Sequence, residues 1–467
     1  MTIDWEKEVK QREPEMLADL AELIAIDSSR DDEHKTATAP LGEGPRDALR
    51  KVLSFGERDG FTTKNIDNLA GRIEYGDGAE ALGIFAHMDV VPAGDGWDTE
   101  PFKLTEQDGK LIGRGTSDDK GPSIAAYYGL KIVRDLGLPL SKKVQLIFGT
   151  DEESDWTGLN RYQETQKMPD FGFSPDAEFP IINGEKGITD LTIKFPTLAQ
   201  STTAALNLQS FEAGLRSNMV PQKATAVVTG ATELNTAFDA FLAANPVTGQ
   251  ITQNDDQTTI TVLGKVAHSM APEDGINAAT YLATFLADLN LDQAGKAYVT
   301  VIKDYFHQAD RGQHLNIAHT DEIMGDLTAS PDLFHYQVGQ VPDILLNVRY
   351  PKGIDAATIT KNIQQTLAEY QVEITASAHS MTPHYVAPDD PLVATLLSVF
   401  EARTGQPGHQ AVVGGGTYGR LLKRGVAFGA LFDETKNVMH QANEYTLKAD
   451  FLKAAAIYAQ AIFELAK

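Results

Sequence analysis

The chain has no cysteine among its 467 residues. Disulfides, thiolate metal sites and cysteine nucleophiles are all excluded together, so any metal must be held by His, Asp and Glu. Basic residues are also few, with 40 Lys and Arg against 65 Asp and Glu and a formal net charge of −25. Such an acidic surface repels phosphate backbones and anionic membranes, which argues against nucleic-acid and membrane partners and favours cations, divalent metals included. No apolar run approaches the length of a bilayer span. The opening MTIDWEKEVKQREPEMLADLAELIAI lacks a basic segment followed by an apolar one, the mark of an export signal. It reads as an amphipathic helix, and the expectation is a cytoplasmic protein. There is no short internal repeat and no low-complexity tract.

What is present is a 42% hydrophobic, 22% charged globular composition on a chain too long for one ordinary core. Residues 81–89 (ALGIFAHMD) and 143–153 (KVQLIFGTDEE) are apolar runs ending in polar residues, and both read as buried strands. Between them, residues 121–138 (GPSIAAYYGLKIVRDLGL) predict a helix, with Pro122 in its first turn and Gly137 near its end. Strand–helix–strand order at this spacing predicts an α/β layer with a mainly parallel sheet, where ligands bind outside the carboxyl ends of the strands. After about Lys186 the texture changes. GITDLTIKFP and TTITVLGKVAHS alternate as strands with one wet face, DGINAATYLATFLADLN predicts a helix capped at Asp274, and FHQADRGQHLNIAHTD reads as a loop. From about His384 the first pattern returns: a helix in PLVATLLSVFEARTG, a buried strand in GVAFGALF and a final helix in LKADFLKAAAIYAQAIFELA. The expectation is a discontinuous catalytic domain, 1–185 and 385–467, interrupted by a large α+β lid domain, 186–384.

The chemistry lies in scattered clusters. His87 and Asp89 are two apart at a strand end, hence on one face. A carboxylate beside the second nitrogen of a metal-bound histidine fixes its tautomer, although an ordinary ion pair would look the same. In GRGTSDDKGP, Asp118 and Asp119 repel unless a cation or a helix start compensates, and a plain N-cap would also account for them. GTDEESDW ends a strand with Asp151, Glu152 and Glu153, where one Glu could bind metal and its neighbour serve as general base, or all three could be a solvated charge run. Asp176 in FSPDAEFP and His440 in NVMHQANE are weak signals alone. Together, two His and three carboxylates (His87, Asp118, Glu153, Asp176, His440) suit a pair of divalent metals with water as nucleophile. Nitrogen and oxygen donors fit two Zn2+, with Co2+ or Mn2+ as substitutes.

HMDVVPAGDGWDTEPF, GRGTSDDKGP, GTDEES, FSPDAEFP, AHSMAPEDGINA and GGGTYGR, in this order along nearly the whole chain, resemble the M20 family of dinuclear zinc peptidases and deacylases. Within it the chain looks most like the PepV-type dipeptidases of lactic acid bacteria, which act on Xaa-dipeptides, β-alanyl ones included. The resemblance implies that Asp118 bridges the metals, that His87 and Asp176 complete one shell, and that Glu153 and His440 complete the other. Asp89 would orient His87, and Glu152 would be the general base. It also implies a cis bond between Asp118 and Asp119, the latter standing where many relatives carry an apolar residue and not itself a ligand. His268 in KVAHSMAP resembles the family histidine that steadies the oxyanion, and Arg349 in ILLNVRYP would clamp the substrate's terminal carboxylate with help from Asn218. Gly415 and Gly416 in GGGTYGR would let backbone N–H groups approach the substrate. The long insertion implies a lid that supplies His268 within one chain, hence a monomer. The other histidines carry no assignment.

The resulting expectation is a metal-dependent dipeptidase acting on small unblocked peptides. The nearest alternative is an N-acyl-amino-acid deacylase of the same family, against which the long lid argues. An alternative from another class is a non-catalytic metal- or peptide-binding protein on the same scaffold, against which the presence of Glu152 and His268 argues.

Overall fold

The computed structural model describes residues 3–197, 205–230, 233–378 and 380–467; His379, one of the histidines without an assignment, lies outside them. The N-terminal helix, Trp5–Ile24, starts at Asp4, whose carboxylate accepts from the Lys7 N–H, and it buries Val9, Met16, Leu20, Leu23 and Ile24 along one side. An oxygen-bearing residue at the helix start satisfies an amide that the helix itself leaves unpaired. Contacts divide the chain into two units. One comprises Met1–Gly184, Tyr385–Ala411 and Gly416–Lys467, and the other Glu185–His384 with Val412–Gly415.

The first unit is built on a mixed sheet with a parallel centre. Strands Lys143–Gly149, Ala81–His87, Phe171–Ser174 and Gly425–Ala427 lie side by side in that order, all parallel. Ala70–Tyr75 and Thr62–Ile66 extend the Lys143 side antiparallel. Every residue of Ala81–His87 is buried, as expected of a parallel strand covered on both faces. The helix Lys120–Asp135 is buried from Lys120 to Val133 and packs on Lys448–Ala466 and on the N-terminal helix. Ile124, Leu130 and Ile132 are fully buried there, each stabilising by about 1.5–3 kcal/mol. Gly121 has a steric reason: a Cβ at that position would stand 2.0 Å from the Thr116 carbonyl oxygen. Any side chain would push the preceding turn, which carries Asp118, off the helix start.

GVAFGALF is not one strand. Gly425–Ala427 belongs to the central sheet, while Ala430–Leu431 pairs in parallel with Ala177–Glu178. Gly429 divides them at φ +77°, a turn conformation that glycine adopts without steric cost, and the Gly429–Ala430 bond is cis.

The second unit is an eight-stranded antiparallel sheet. Its strand order is Thr248–Asn254, Gln257–Leu263, Lys223–Thr229, Asn207–Ala213, Thr328–Gln337, Asp343–Tyr350, Gly187–Lys194 and Glu373–Ala376. Burial alternates along Gly187–Lys194 and Gln257–Leu263, the period-two signature of a sheet with distinct faces. Leu191, Ile193, Ile260, Val262, Leu346 and Val348 point into a core shared with helices Ala278–Ala287 and Gln293–Val301. The first of these helices is capped by Asn277, whose side chain accepts from the N–H groups of Ala279 and Thr280, and not by Asp274. Asp274 closes a short 3-10 turn, Pro272–Asp274. Both residues can cap, and the chain geometry after the turn decides between them. No helix among the described residues is long and apolar enough to cross a membrane.

Candidate active site

Three adjacent parallel strands end at one edge of the first unit's sheet. Ala81–His87 delivers His87, Lys143–Gly149 runs into Asp151, Glu152 and Glu153, and Phe171–Ser174 runs into Asp176. The register sets His87 opposite Gly149, so the histidine and the acidic run leave the sheet at the same level. Asp118 enters from the turn before the Lys120–Asp135 helix, across a cis Asp118–Asp119 bond. His440 enters from the loop after Leu431, at φ +63°.

Asp118 stands between the two histidines. Its Oδ1 lies 2.9 Å from His87 Nε2 and its Oδ2 lies 2.9 Å from His440 Nε2. Asp176 Oδ2 is 3.6 Å from His87 Nε2, and Glu153 Oε1 is 2.9 Å from His440 Nε2. Two groups, His87–Asp118–Glu153 and His87–Glu152–Asp176, each bring ligand atoms within 4.8 Å of one another. The three acids of the TDEES run have separate surroundings. Asp151 turns to Arg30 Nη1 at 3.1 Å and accepts from the Thr157 N–H, while Glu152 and Glu153 face the histidines.

The electrostatics mark a centre built for cations. Burial pushes Glu152 and Asp176 well above the usual carboxylate range, and the neighbouring carboxylates push the same way. Burial also raises Glu153. Asp118 is held far down despite its burial, because His440 and His87 both bond to it. Against the cost of burial, Asp89 and Asp118 hold His87 well above the ordinary histidine value, and Asp118 and Glu153 raise His440 to about 11. Asp89 Oδ1 is buried without a hydrogen-bond partner among the described residues. So many acids in one buried place repel one another unless positive charge is added, and the donor set is nitrogen and oxygen only. The residues fit a pair of divalent cations.

His87 is oriented from behind. Its Nδ1 lies 2.9 Å from the backbone carbonyl of Asp89 and 3.4 Å from the Asp89 carboxylate, while Asp89 Oδ2 accepts from the Glu153 N–H at 3.2 Å. Two supports escaped the sequence reading. Asp119 Oδ2 accepts from the His87 N–H at 3.0 Å, and burial pushes its carboxyl up to about 8. Glu444 Oε1 accepts from the N–H groups of Gly115, Ser117 and Asp118, and its Oε2 pairs with Arg114 at 2.6 Å. The available signal for Glu444 is a lone acid closing NVMHQANE, four residues after His440.

The remaining candidates belong to the second unit, apart from Gly416. The Asn218 carbonyl accepts from the Ser269 N–H at 3.0 Å, and Met219 bridges to His268. His268 Nδ1 accepts from the Met270 N–H at 3.0 Å, so the neutral ring carries its proton on Nε2, as a donor. Arg349 is buried, donating from Nε to Asn347 Oδ1 at 2.8 Å and from Nη1 to the Gly414 carbonyl at 2.9 Å. A Cβ on Gly415 would meet nothing within 4 Å among the described residues, whereas one on Gly414 would stand 2.6 Å from Met270 Cβ. The glycine that packing requires is therefore one residue before the pair singled out from the sequence.

The sequence profile described as peptidase family M20/M25/M40 matches residues 83–464. A Beta-Ala-Xaa dipeptidase of Lactobacillus delbrueckii subsp. lactis is 43% identical over 470 residues, covering 100% of this chain and 99% of its own. A putative dipeptidase of Bacillus subtilis strain 168 is 41% identical, with full coverage of both chains. Among solved structures, human carnosine dipeptidase 1 aligns with a TM-score of 0.59 at 14% identity, over 99% of this chain and 98% of that one. At that identity the likeness is one of fold.

Proposed function

The chain belongs to peptidase family M20/M25/M40, and from that premise we propose that it is a dinuclear-zinc dipeptidase hydrolysing unblocked dipeptides. The observation that carries the reading is Asp118, with one carboxylate oxygen 2.9 Å from each of two histidine Nε2 atoms, the disposition of a ligand shared by two cations. His87 and Asp176 would hold one zinc and Glu153 and His440 the other, with Asp118 common to both. Such a pair, when bound, would supply Lewis acidity toward the scissile carbonyl and toward the attacking water.

The chain's own groups do the rest. Glu152 takes the proton of the attacking water and passes it to the leaving amine, a double task suited to a carboxyl whose burial raises its proton affinity. Asp89 keeps the His87 ring in one orientation through Nδ1. His268, donor at Nε2, stabilises the oxygen that becomes negative on attack. Arg349, assisted by Asn218, binds the terminal carboxylate of the substrate, and Gly415 and Gly416 present backbone N–H groups to it. The likeness to the Lactobacillus Beta-Ala-Xaa dipeptidase supports dipeptides as the substrate class and places β-alanyl dipeptides among those to try.

The test is hydrolysis of Ala-Leu, β-Ala-His, Ala-Leu-Gly and N-acetyl-Ala-Leu by metal-stripped protein, before and after zinc or manganese is restored. Metal-dependent cleavage confined to the two free dipeptides is expected. Cleavage of the acetylated compound alone would make the protein a deacylase, and no turnover with two metals bound would leave a binding protein on this scaffold.

A further inference from the structure

Beneath the Arg349 guanidinium runs a short polar row that the metal centre does not use. In the antiparallel pairing of Gly187–Lys194 with Asp343–Tyr350, Asp190 is directly opposite Asn347. Arg349 is two residues further along its strand and so projects from the same face as Asn347. The row is continuous. Arg349 Nε donates to Asn347 Oδ1 at 2.8 Å, and Asn347 Nδ2 donates to Asp190 Oδ1 at 2.5 Å. The Ser217 side chain, next to Asn218, also bonds to Asp190. Asn347 is 2% exposed and Arg349 6%.

The amide has only one satisfactory orientation here. A guanidinium can only donate and a carboxylate can only accept, so Asn347 must turn its oxygen to Arg349 and its nitrogen to Asp190. With the Gly414 carbonyl on Nη1, this fixes the guanidinium plane from two sides. The amide also keeps Asp190 one residue removed from the arginine. A carboxylate at position 347 could hold Arg349 in the same place, but it would neutralise the charge that an incoming carboxylate needs.

We infer that Asn347 and Asp190 are positioning residues that set substrate affinity through Arg349: they aim the guanidinium at the terminal carboxylate of a dipeptide. The inference rests on the dipeptidase reading and deepens its account of carboxylate recognition. It distinguishes orientation by an amide from pairing with an acid, and the two differ in what an isosteric substitution does.

The experiment compares kcat and KM for Ala-Leu in the zinc-loaded wild type, Asn347→Asp, Asp190→Asn and Arg349→Lys. Asn347→Asp is expected to raise KM about tenfold, the loss of roughly one charge-assisted hydrogen bond, with kcat within about threefold of wild type. Arg349→Lys should move KM in the same direction. Asp190→Asn, which keeps an acceptor oxygen but loses the charge that strengthens the bond to the Asn347 amide, should raise KM less, and it keeps the inference testable should Asn347→Asp not fold. A residue that merely supports the sheet would lower the thermal midpoint and the amount of active protein without dividing KM from kcat. Turnover of Ala-Leu by the wild type with KM unchanged in Asn347→Asp, or in Asp190→Asn should the first not fold, would overturn this inference alone. A wild type that leaves Ala-Leu intact would overturn the dipeptidase reading, and this inference with it.

Discussion

Glu444 offers the sharpest test of how the candidate metal centre is held. Its Oε1 accepts three backbone N–H groups, from Gly115, Ser117 and Asp118, at 3.1, 2.9 and 3.2 Å. Its Oε2 accepts from Arg114 Nη1 at 2.6 Å. Both partners are sealed from solvent, Glu444 at 0% and Arg114 at 1% exposure. Every group around the carboxylate is a donor, so in Glu444→Gln the new NH2 must face a donor whichever way it turns. The less costly choice leaves the oxygen on the three amides and the NH2 against Arg114. Removing one partner of a buried ion pair costs about 3–5 kcal/mol, and Arg114 keeps the carbonyls of Pro92, Ala93 and Gln441, so the lower end applies. A loss of about 3 kcal/mol is roughly a hundredfold in the local opening equilibrium. Hydrogen–deuterium exchange of the metal-free protein, followed on peptides spanning residues 110–122, reads that opening without requiring the whole chain to unfold in one step. Exchange there should accelerate about a hundredfold in Glu444→Gln while peptides of the second unit keep the wild-type rate, and zinc affinity should fall with it. A less than threefold change at residues 113–118, in a folded variant, would refute the argument that Glu444 holds the Asp118 turn.

Other outcomes follow from the same geometry. Glu152→Gln should cut kcat about 10²- to 10⁴-fold, the usual range for a general base, with metal content by elemental analysis still at two per chain; activity within tenfold of wild type would remove Glu152 from the chemistry. Far from the site, Asp59 binds Tyr127 Oη at 2.5 Å, Arg58 at 2.9 Å and Lys131 at 3.1 Å. Although burial opposes it, these partners lower its carboxyl to about 2 from an ordinary 3.8. A depressed folded-state value stabilises above the unfolded value and the benefit is lost as pH falls. The thermal midpoint of Asp59→Asn should therefore lie below wild type at pH 6, with the gap closing between about pH 4 and pH 2, and a gap independent of pH would show that the ionised form contributes nothing.

The candidate ligand positions are legible in the sequence where backbone regularity marks them. His87, Glu152 and Glu153 end apolar runs that read as buried strands, and Asp118 precedes a predicted helix start, whereas Asp176 and His440 are weak signals until the strand order brings them to the same edge. Parallel pairing then brings strand ends together without any need to know side-chain contacts. What stays hidden depends on long-range juxtaposition. Glu444 is more than three hundred residues from the amides it receives, and Asn347 has meaning only once the register sets it against Asp190. Gly414 is required by Met270, remote in sequence. The break in GVAFGALF and the cap at Asn277 show a nearer limit. Composition admits two local outcomes in each, and the packing of the chain around them selects one.

These two kinds of position also predict two kinds of tolerance. The candidate His and acid ligands meet at strand ends, where each side chain is placed by its own strand or turn. A substitution there removes one donor and leaves the backbone to hold the others. Asp119, Glu444 and Asn347 act by bonding to groups that carry function elsewhere: a backbone N–H of His87, the amides of the Asp118 turn, the guanidinium of Arg349. Each is buried with its partners, so replacing it leaves an unsatisfied polar group in a low-dielectric interior as well as a displaced functional one. Losses at these supports should consequently appear in metal affinity, local exchange and KM, whereas loss of Glu152 appears in kcat. A site in which Asp119→Ala, Glu444→Gln and Asn347→Asp all lowered kcat alone would not be organised in this way.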